Sequence, residues 1–344
     1  MSTSLPYITV IVPVYNGRDF LTKCLDALFS STYRSFEVLV VNDCSSDDSG
    51  EIAAAKGVQV ISTPKRSGPG AARNLAAEAA SGEILLFVDA DVVVKPETLE
   101  RIAKRFRGNP ELSALFGSYD DEPAEKNFLS QYKNLQHHFV HQQSNPEAST
   151  FWSGLGAMRR KVFLEHEGFD NKKFSEPSIE DIDLGYRLRR SGHKIVLDKD
   201  IQAKHLKKWS ISSHLRTEIF SRAMPWSRLI HENDKMINDM NLKTSDRASA
   251  VIVALSLVVL PLAFFEPLLV IFLAVFLLVI ALLNHKILRF FAVKRGIGFA
   301  IMAFPWQILY FFYSGCAFVA TWLIIGLPRL LGRKGSNHIS EATE

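Results

Sequence analysis

Asp89-Ala90-Asp91 sets two carboxylates at the tip of an apolar run, Glu83 to Val88. In extended chain, residues two apart point to the same side, so the pair can grip a divalent ion jointly. Hard ions such as Mg²⁺ or Mn²⁺ take oxygen ligands and share them with substrate phosphates. Aspartates at strand ends also cap turns, and an isolated D-x-D carries both readings. Glu180-Asp181 opens a helical pattern continued by Leu184, Tyr186 and Leu188. Asp181 has the chemistry of a general base that takes a proton from an attacking hydroxyl. Ser178, three residues earlier, gives the alternative of a capping box with acidic charge at the helix start.

Four further candidates each carry a bland alternative. Asp43, in Asp43-Cys44-Ser45-Ser46, is an acceptor for a base or ribose donor, or a turn residue capping the next helix. Arg73 follows the Gly- and Pro-rich loop Pro64 to Gly70 and either forks toward a nucleotide or sits solvated on the surface. His205 is a structural histidine, or it closes a metal site with Asp91. Trp152 beside Gly154-Leu155-Gly156 suits an acceptor wall, since small residues allow close approach, or plain packing.

The elements that must position these residues alternate. Tyr7 to Asn16, Phe36 to Asn42, Val58 to Ser62 and Glu83 to Val88 are apolar runs that suit buried parallel strands. Between them lie helical spacing at Phe20, Leu21, Leu25 and Leu28 and the alanine-rich helix Ala71 to Ala80. Lys194 to Lys204 is strand-like, with His205 at its end. This alternation predicts an α/β fold with a doubly wound, mostly parallel sheet and helices on both faces. Ligands bind beyond the carboxyl ends of such strands. Asn16, Asp43 and Asp89 to Asp91 all follow strand ends and should therefore converge on one crevice.

The composition narrows the class. Among 344 residues, 40 basic and 36 acidic side chains leave +4, no electrostatic footprint for nucleic acid. The first 247 residues hold 33 of each sign, whereas seven basic and three acidic residues remain from Ala248 onward. Three scattered cysteines (Cys24, Cys44, Cys316) give neither a disulfide framework nor zinc spacing and suit a reducing compartment. No cationic stretch precedes a long apolar one at the N-terminus, so no secretory leader is expected and the front should stay cytoplasmic.

The back third reads as membrane. Ala248 to Phe265 and Pro267 to Leu283 are free of charge, and each would span about 26 Å as a helix. Glu266-Pro267 between them marks a turn, which makes a membrane hairpin the expectation. Asn284 to Gly296 interleaves Lys286, Arg289, Lys294 and Arg295 with apolar residues, as an amphipathic helix at an anionic surface does. One span is expected near Trp306 to Leu327, with the piece before Pro305 interfacial or re-entrant. The positive-inside rule puts Lys286 to Arg295 in the cytoplasm, but a third span would send Arg329, Arg333 and Lys334 outside, against that rule.

As an ordered set, Val12-Pro13-Val14-Tyr15-Asn16, Val41-Asn42-Asp43-Cys44-Ser45-Ser46-Asp47, Ala71-Ala72-Arg73-Asn74, Phe87-Val88-Asp89-Ala90-Asp91 and Ile179-Glu180-Asp181-Ile182-Asp183-Leu184 resembles the family 2 glycosyltransferases over residues 6 to 210. The resemblance implies the GT-A fold, a nucleotide-diphosphate sugar donor, Mg²⁺ or Mn²⁺, and inversion at the anomeric carbon. Carried over by position, it implies that Pro13, Val14 and Tyr15 line the base and that Asp43 and Arg73 contact the nucleotide. Asp89 then lies toward ribose and metal, Asp91 and His205 hold the metal, and Asp181 is the catalytic base. Trp152, Gly154 and Glu180 fall on the acceptor side. Cys44 stands where a glycine is common. Arg222-Ala223-Met224-Pro225-Trp226 only faintly resembles the Arg-Trp signature of processive synthases, whose glutamine-led remainder is missing.

The expected organisation is a GT-A domain over 1–211, a juxtamembrane helical connector over 212–247, transmembrane and interfacial helices over 248–334 and a tail over 335–344. The expected protein is a multi-pass, membrane-anchored enzyme with a cytoplasmic catalytic domain. Its acceptor would be a hydroxyl on a lipid-linked or polysaccharide molecule, and its anchor would contact membrane lipids. A polyprenyl-phosphate sugar synthase and a non-catalytic nucleotide-sugar-binding scaffold are the alternatives. Glu180-Asp181 favours a hydroxyl acceptor, because a phosphate nucleophile needs no base.

Overall fold

The computed structural model describes residues 5–233, 240 and 243–327. Its first four strands are β1 (Ile8–Val14), β2 (Phe36–Asn42), β3 (Gln59–Ser62) and β4 (Ile84–Val88), joined by helices α1 (Arg18–Phe29), α2 (Ser49–Ala55) and α3 (Pro69–Ala79). All four run parallel, in the order β3-β2-β1-β4. Every residue of β1 and β4 is buried, as parallel strands covered on both faces require. Leu21, Leu25 and Leu28 of α1 pack on Ile8, Val10 and Val12. Each such side chain contributes about 1.5–3 kcal/mol by leaving water, so this half of the sheet is a rigid frame.

In the other half of the sheet only the strand-like stretch Lys194 to Lys204 was legible. This half comprises β5 (Val92–Val94), β6 (Leu112–Tyr119), β7 (Leu155–Arg159) and β8 (Lys194–His205), and the eight-stranded order continues β4-β7-β6-β8-β5. Here β7 is antiparallel to both neighbours, and β5 is antiparallel to β8. Helices α4 (Thr98–Gly108), α5 (Phe128–Gln143), α6 (Arg160–Glu165) and α7 (Glu180–Arg190) complete this part. Two register pairs matter for function. Val92 sits opposite His205, and Tyr119 opposite Ala203, so the end of β8 is delivered beside Asp91.

The chain divides into two compact units between Ile211 and Ser212. The second unit holds α8 (Ile211–Arg216), a π-helical stretch (Thr217–Ala223), α9 (Met224–Asn233), α10 (Thr244–Leu262), α11 (Leu269–Leu283), α12 (His285–Arg295), α13 (Ile297–Thr321) and a short π-helical end (Trp322–Gly326). Two helical stretches, Thr244–Leu262 and Ile297–Ile325, are long and apolar enough to cross a membrane. The second arm of the expected hairpin, Pro267 to Leu283, is α11, which starts at Leu269 and ends at the expected Leu283, 15 residues in all. It reaches spanning length only together with α12, from which it is bent by 71°. Pro305 lies inside α13 and does not separate an interfacial piece from a span. Phe264, Phe265, Leu268, Ile271 and Leu282 are exposed, an apolar surface of the kind lipid covers. Between α10 and the end of α11, Asn284 Nδ2 donates to Ser249 Oγ at 2.9 Å, an interhelical bond suited to an apolar medium. On the π-helical stretch, Arg222 pairs with the buried Glu218, which also accepts from Tyr313. Arg329, Arg333, Lys334 and the expected 335–344 tail lie outside the described residues.

Candidate active site

Asp43 leaves the end of β2, where its N–H donates to Val14 O at 2.8 Å. Its carboxylate is buried and turns toward the loop before α3, and does not cap α2. Oδ1 accepts from Thr63 Oγ1, Ser67 N and Ser67 Oγ at 2.8–2.9 Å, and Oδ2 from Gly68 N at 2.8 Å. The loop to α2 is pinned by Asp47, which accepts from Ser49 N and Oγ. Gly68 has φ +84°, and a Cβ there would stand 2.6 Å from Ser175 O. Both the backbone conformation and the space require glycine. Gly68→Ala should therefore cost roughly 1–3 kcal/mol, the range for a strained backbone position, and loosen the Asp43 loop. A thermal unfolding midpoint equal to that of wild type would contradict this.

The strand end Pro13-Val14-Tyr15 is buried up to Tyr15, whose ring is exposed with the Arg66 guanidinium 4.4 Å over it. Asn16 and Cys44 flank it in the left-handed region, at φ 50° and 59°. Cys44 thus occupies a conformation that glycine adopts without strain. Asn16 Oδ1 accepts from Ser46 N at 2.8 Å, tying the ends of β1 and β2 together.

Arg73 is where the site is knitted. It is buried in the first turns of α3, only 3% exposed, and not solvated. Its Nη2 donates to Asp89 Oδ1 at 2.6 Å, and its Nη1 to Glu180 Oε1 at 3.4 Å. The guanidinium lies 5.6 Å over the Phe169 ring, and its buried Nε has no hydrogen-bond partner among the described residues. One cation thus joins Asp89, after β4, to Glu180-Asp181, at the start of α7. Gly70, three residues before Arg73, lies against Glu180 so closely that a Cβ would meet Glu180 Cγ at 3.4 Å.

Asp181 sits in the first turn of α7, where the helix N-terminus favours negative charge. Ile179 precedes the helix without a side-chain cap, so Ser178 does not form a capping box; its N–H donates to Glu180 instead. Asp181 Oδ2 accepts from Ser153 N at 3.0 Å and Ser153 Oγ at 3.2 Å, and Oδ1 from Ile182 N at 2.8 Å. Burial raises the Asp181 pKa above the usual aspartate range, against the opposing pull of the Ser153 N–H and Arg73. Burial and the neighbouring Asp181 charge likewise raise Glu180. Sequence reasoning missed Ser153; its signal was its position between Trp152 and Gly154. A Cβ on Gly154 would strike the Trp152 ring at 2.6 Å, so the glycine lets the indole fold over the strand.

Asp91 Oδ2 stands 3.4 Å from His205 Nε2. Burial would raise the Asp91 pKa, but the adjacent His205 and Lys207 outweigh it and hold the carboxyl low, hence ionised. Cys24 lies beneath, its Sγ donating to Asp89 O at 3.7 Å; burial and the charges of Asp91 and Asp89 push its thiol up, so it stays protonated. A carboxylate and an imidazole form a donor set suited to Mn²⁺ or Mg²⁺. Among the described residues no three such groups converge.

Asp43, Arg73, Asp89, Asp91, His205, Glu180, Asp181 and Trp152 are thus linked through direct contacts or one intervening segment. A separate cavity of about 620 Å³ opens at the N-terminal ends of β6 and β8, lined by Arg105, Leu112, Lys194 and Asp198. None of the candidate residues lines it. The candidate carboxylates gather at the other end of the strands.

Residues 9–166 match the model of Glycosyl transferase family 2. Over 221 residues the chain is 29% identical to glycosyltransferase GlyA of Streptococcus pneumoniae, covering 60% of this chain and 31% of GlyA. Over 108 residues it is 40% identical to glycosyltransferase AglE of Haloferax volcanii, covering 29% of this chain and 36% of AglE. The chain therefore spans about a third of the length of these relatives. It shares its fold with the mannosyltransferase PcManGT of Pyrobaculum calidifontis, solved with GDP-Man and Mn²⁺. That likeness has a TM-score of 0.52 at 17% identity and covers 96% of this chain and 89% of that one. Residues 9–166 thus carry a likeness to the family 2 glycosyltransferases, in a domain of the GT-A fold, and a helical region follows in which two of the described helices are apolar enough to cross a membrane.

Proposed function

We propose that the protein is a metal-dependent, inverting glycosyltransferase that moves a sugar from a nucleotide-diphosphate donor to an acceptor hydroxyl. The observation that carries this reading is Arg73, which binds Asp89 with one nitrogen and Glu180 with another. It brings the residues read as donor-binding within one side chain of the residues read as acceptor-binding. The Mn²⁺ and GDP-Man held by the mannosyltransferase of the same fold support a nucleotide-sugar donor and a divalent ion.

Residues 1–211 would be catalytic, 212–247 the connector and 248–334 the anchor. Pro13, Val14, Tyr15 and the loop fixed by Asp43 would bind the nucleotide. Asp91 and His205 would hold Mg²⁺ or Mn²⁺, with Asp89 beside them. Such an ion, when bound, neutralises charge developing on the leaving phosphate oxygen. Asp181, held by Ser153, would take the proton of the acceptor hydroxyl as that oxygen bonds to the anomeric carbon. The bond to the departing nucleoside diphosphate breaks on the opposite face, which inverts the configuration. Trp152, Gly154 and Glu180 would shape the acceptor side.

The apolar helices favour an acceptor or product linked to lipid, with a multi-pass anchor and the catalytic domain in the cytoplasm. The alternation of Lys286, Arg289, Lys294 and Arg295 with apolar residues on α12 supports that orientation. The test is to incubate membranes carrying the protein with a panel of nucleotide sugars and Mn²⁺, measuring released nucleoside diphosphate and the anomeric configuration of the product. Metal-dependent release with an inverted product is expected; retention of configuration would refute the mechanism.

The raised Asp181 pKa sets a pH dependence. The base works only when ionised, so activity is present above its pKa and lost as pH falls through it. Since burial moves that value upward, the acid limb of kcat/KM should lie above the usual aspartate range. An acid limb at or below that range would contradict the assignment.

A further inference from the structure

The proposed metal pair has a neighbour that the motifs did not single out. Tyr119 ends β6 opposite Ala203, and His205 lies two residues further along β8, on the same face. The two rings stack at 4.1 Å between centroids and 10° between planes. Tyr119 is 9% exposed and His205 8%, so neither ring has room to swing into solvent. Tyr119 is itself enclosed: His137 of α5 packs against it at 4.5 Å, and Trp152 meets it edge-on at 4.8 Å. Helix α5 is fixed in turn to the β6 backbone, with His138 Nδ1 bonded to Tyr119 O at 2.8 Å and His141 Nδ1 to Gly117 O at 3.1 Å. Burial pushes His141 down to about 4, so its imidazole is neutral and its Nδ1–H donates.

An imidazole on a strand end turns freely about its Cβ–Cγ bond unless something blocks the ring plane. A coplanar aromatic ring at van der Waals distance blocks it. We propose that Tyr119 is a positioning residue that fixes the His205 ring plane, keeping Nε2 aimed at Asp91 and ready for the divalent ion. This rests on the reading of Asp91 and His205 as the metal pair. Groups that orient a metal-binding imidazole typically change metal affinity 10- to 100-fold when removed.

The test is Mn²⁺ titration of the full-length protein in detergent with nucleoside diphosphate present, followed by electron paramagnetic resonance. Tyr119→Leu should weaken Mn²⁺ binding about 10- to 100-fold, whereas Tyr119→Phe, which keeps the stacked ring, should bind as wild type does. In a His205→Ala background, Tyr119→Leu should cause no further loss; a merely structural role would lower affinity in both backgrounds. If Tyr119→Leu does not fold, Tyr119→Met, which keeps the bulk, takes its place in both arms. Unchanged Mn²⁺ affinity in a folded Leu or Met variant overturns the proposal. Wild-type protein that binds no Mn²⁺, or Asp91→Asn protein that binds it equally well, overturns the metal reading and this inference with it. The wild-type and Asp91→Asn titrations thus separate the two failures.

Discussion

Asp181→Asn is expected to lower kcat about 10²- to 10⁴-fold while nucleotide affinity stays unchanged, the range supplied by one positioned base. Asparagine keeps the shape and can still accept from Ser153 N and Oγ through its amide oxygen. It cannot take a proton. Its hydrogen-bond partners, Ser153 and Ile182, are not among the residues read as donor-binding, so the substitution should not disturb the nucleotide. Single-turnover transfer and nucleoside diphosphate binding by calorimetry would measure the two effects separately. An active Asp181→Asn enzyme would refute the base assignment.

Arg73→Ala has the largest expected effect on stability. It leaves Glu180, whose side chain is 7% exposed, without its cation and strips Asp89 of its 2.6 Å partner. Breaking a buried pair by removing one member typically costs about 3–5 kcal/mol, because the remaining charge stays desolvated. Part of that cost is relieved when Glu180 takes up a proton, since burial and Asp181 already raise its pKa. The loss should therefore be greater at alkaline pH, where Glu180 must ionise, than at acid pH. Arg73→Lys keeps one charge but cannot fork to two carboxylates, so it should fall between alanine and wild type. Thermal unfolding across pH would measure this, and a midpoint that shifts equally at every pH would contradict the role given to Glu180. Transfer activity should fall with both substitutions, because the same guanidinium fixes both carboxylate groups.

The parallel half of the sheet was legible because burial on both faces leaves nearly uninterrupted apolar runs. Phe36 to Asn42 matches β2 end to end, and the limits of β1 and β4 fall within two residues of the expected ones. Strands β5, β6 and β7 were not, because their pattern is broken by local chemistry. Leu112–Tyr119 carries Ser113, Gly117 and Ser118, and Gly117 is forced by a neighbouring strand, whose Ile201 O would lie 2.3 Å from a Cβ there. Such a requirement is set by tertiary contact and leaves no periodicity to read. The same holds in the second unit, where Pro305 marks a break in the sequence and the helix runs through it.

In the site, residue types at strand ends were readable, but their partners were not. Asp43 was expected near a nucleotide or in a helix cap; the structure adds that four hydrogen bonds commit it to the loop before α3. Arg73 read equally as a surface residue, because nothing local shows that two carboxylates far along the chain will bury it. Tyr119 ends a strand just as Asn42 and Val88 do, so the rule that found the aspartates would have found it had β6 been recognised.

The central claim is that one nucleoside diphosphate occupies the crevice between the Asp43 loop and Asp91, with Asp181 facing it. Diffraction from crystals soaked with Mn²⁺ and nucleoside diphosphate, with anomalous data at the manganese edge, addresses this directly. The expected result is one manganese peak on the Asp91 carboxylate, shared with the diphosphate and within a ligand's reach of His205. Manganese bound away from Asp91, or the nucleotide lodged at the cavity near Arg105 and Asp198, would contradict it.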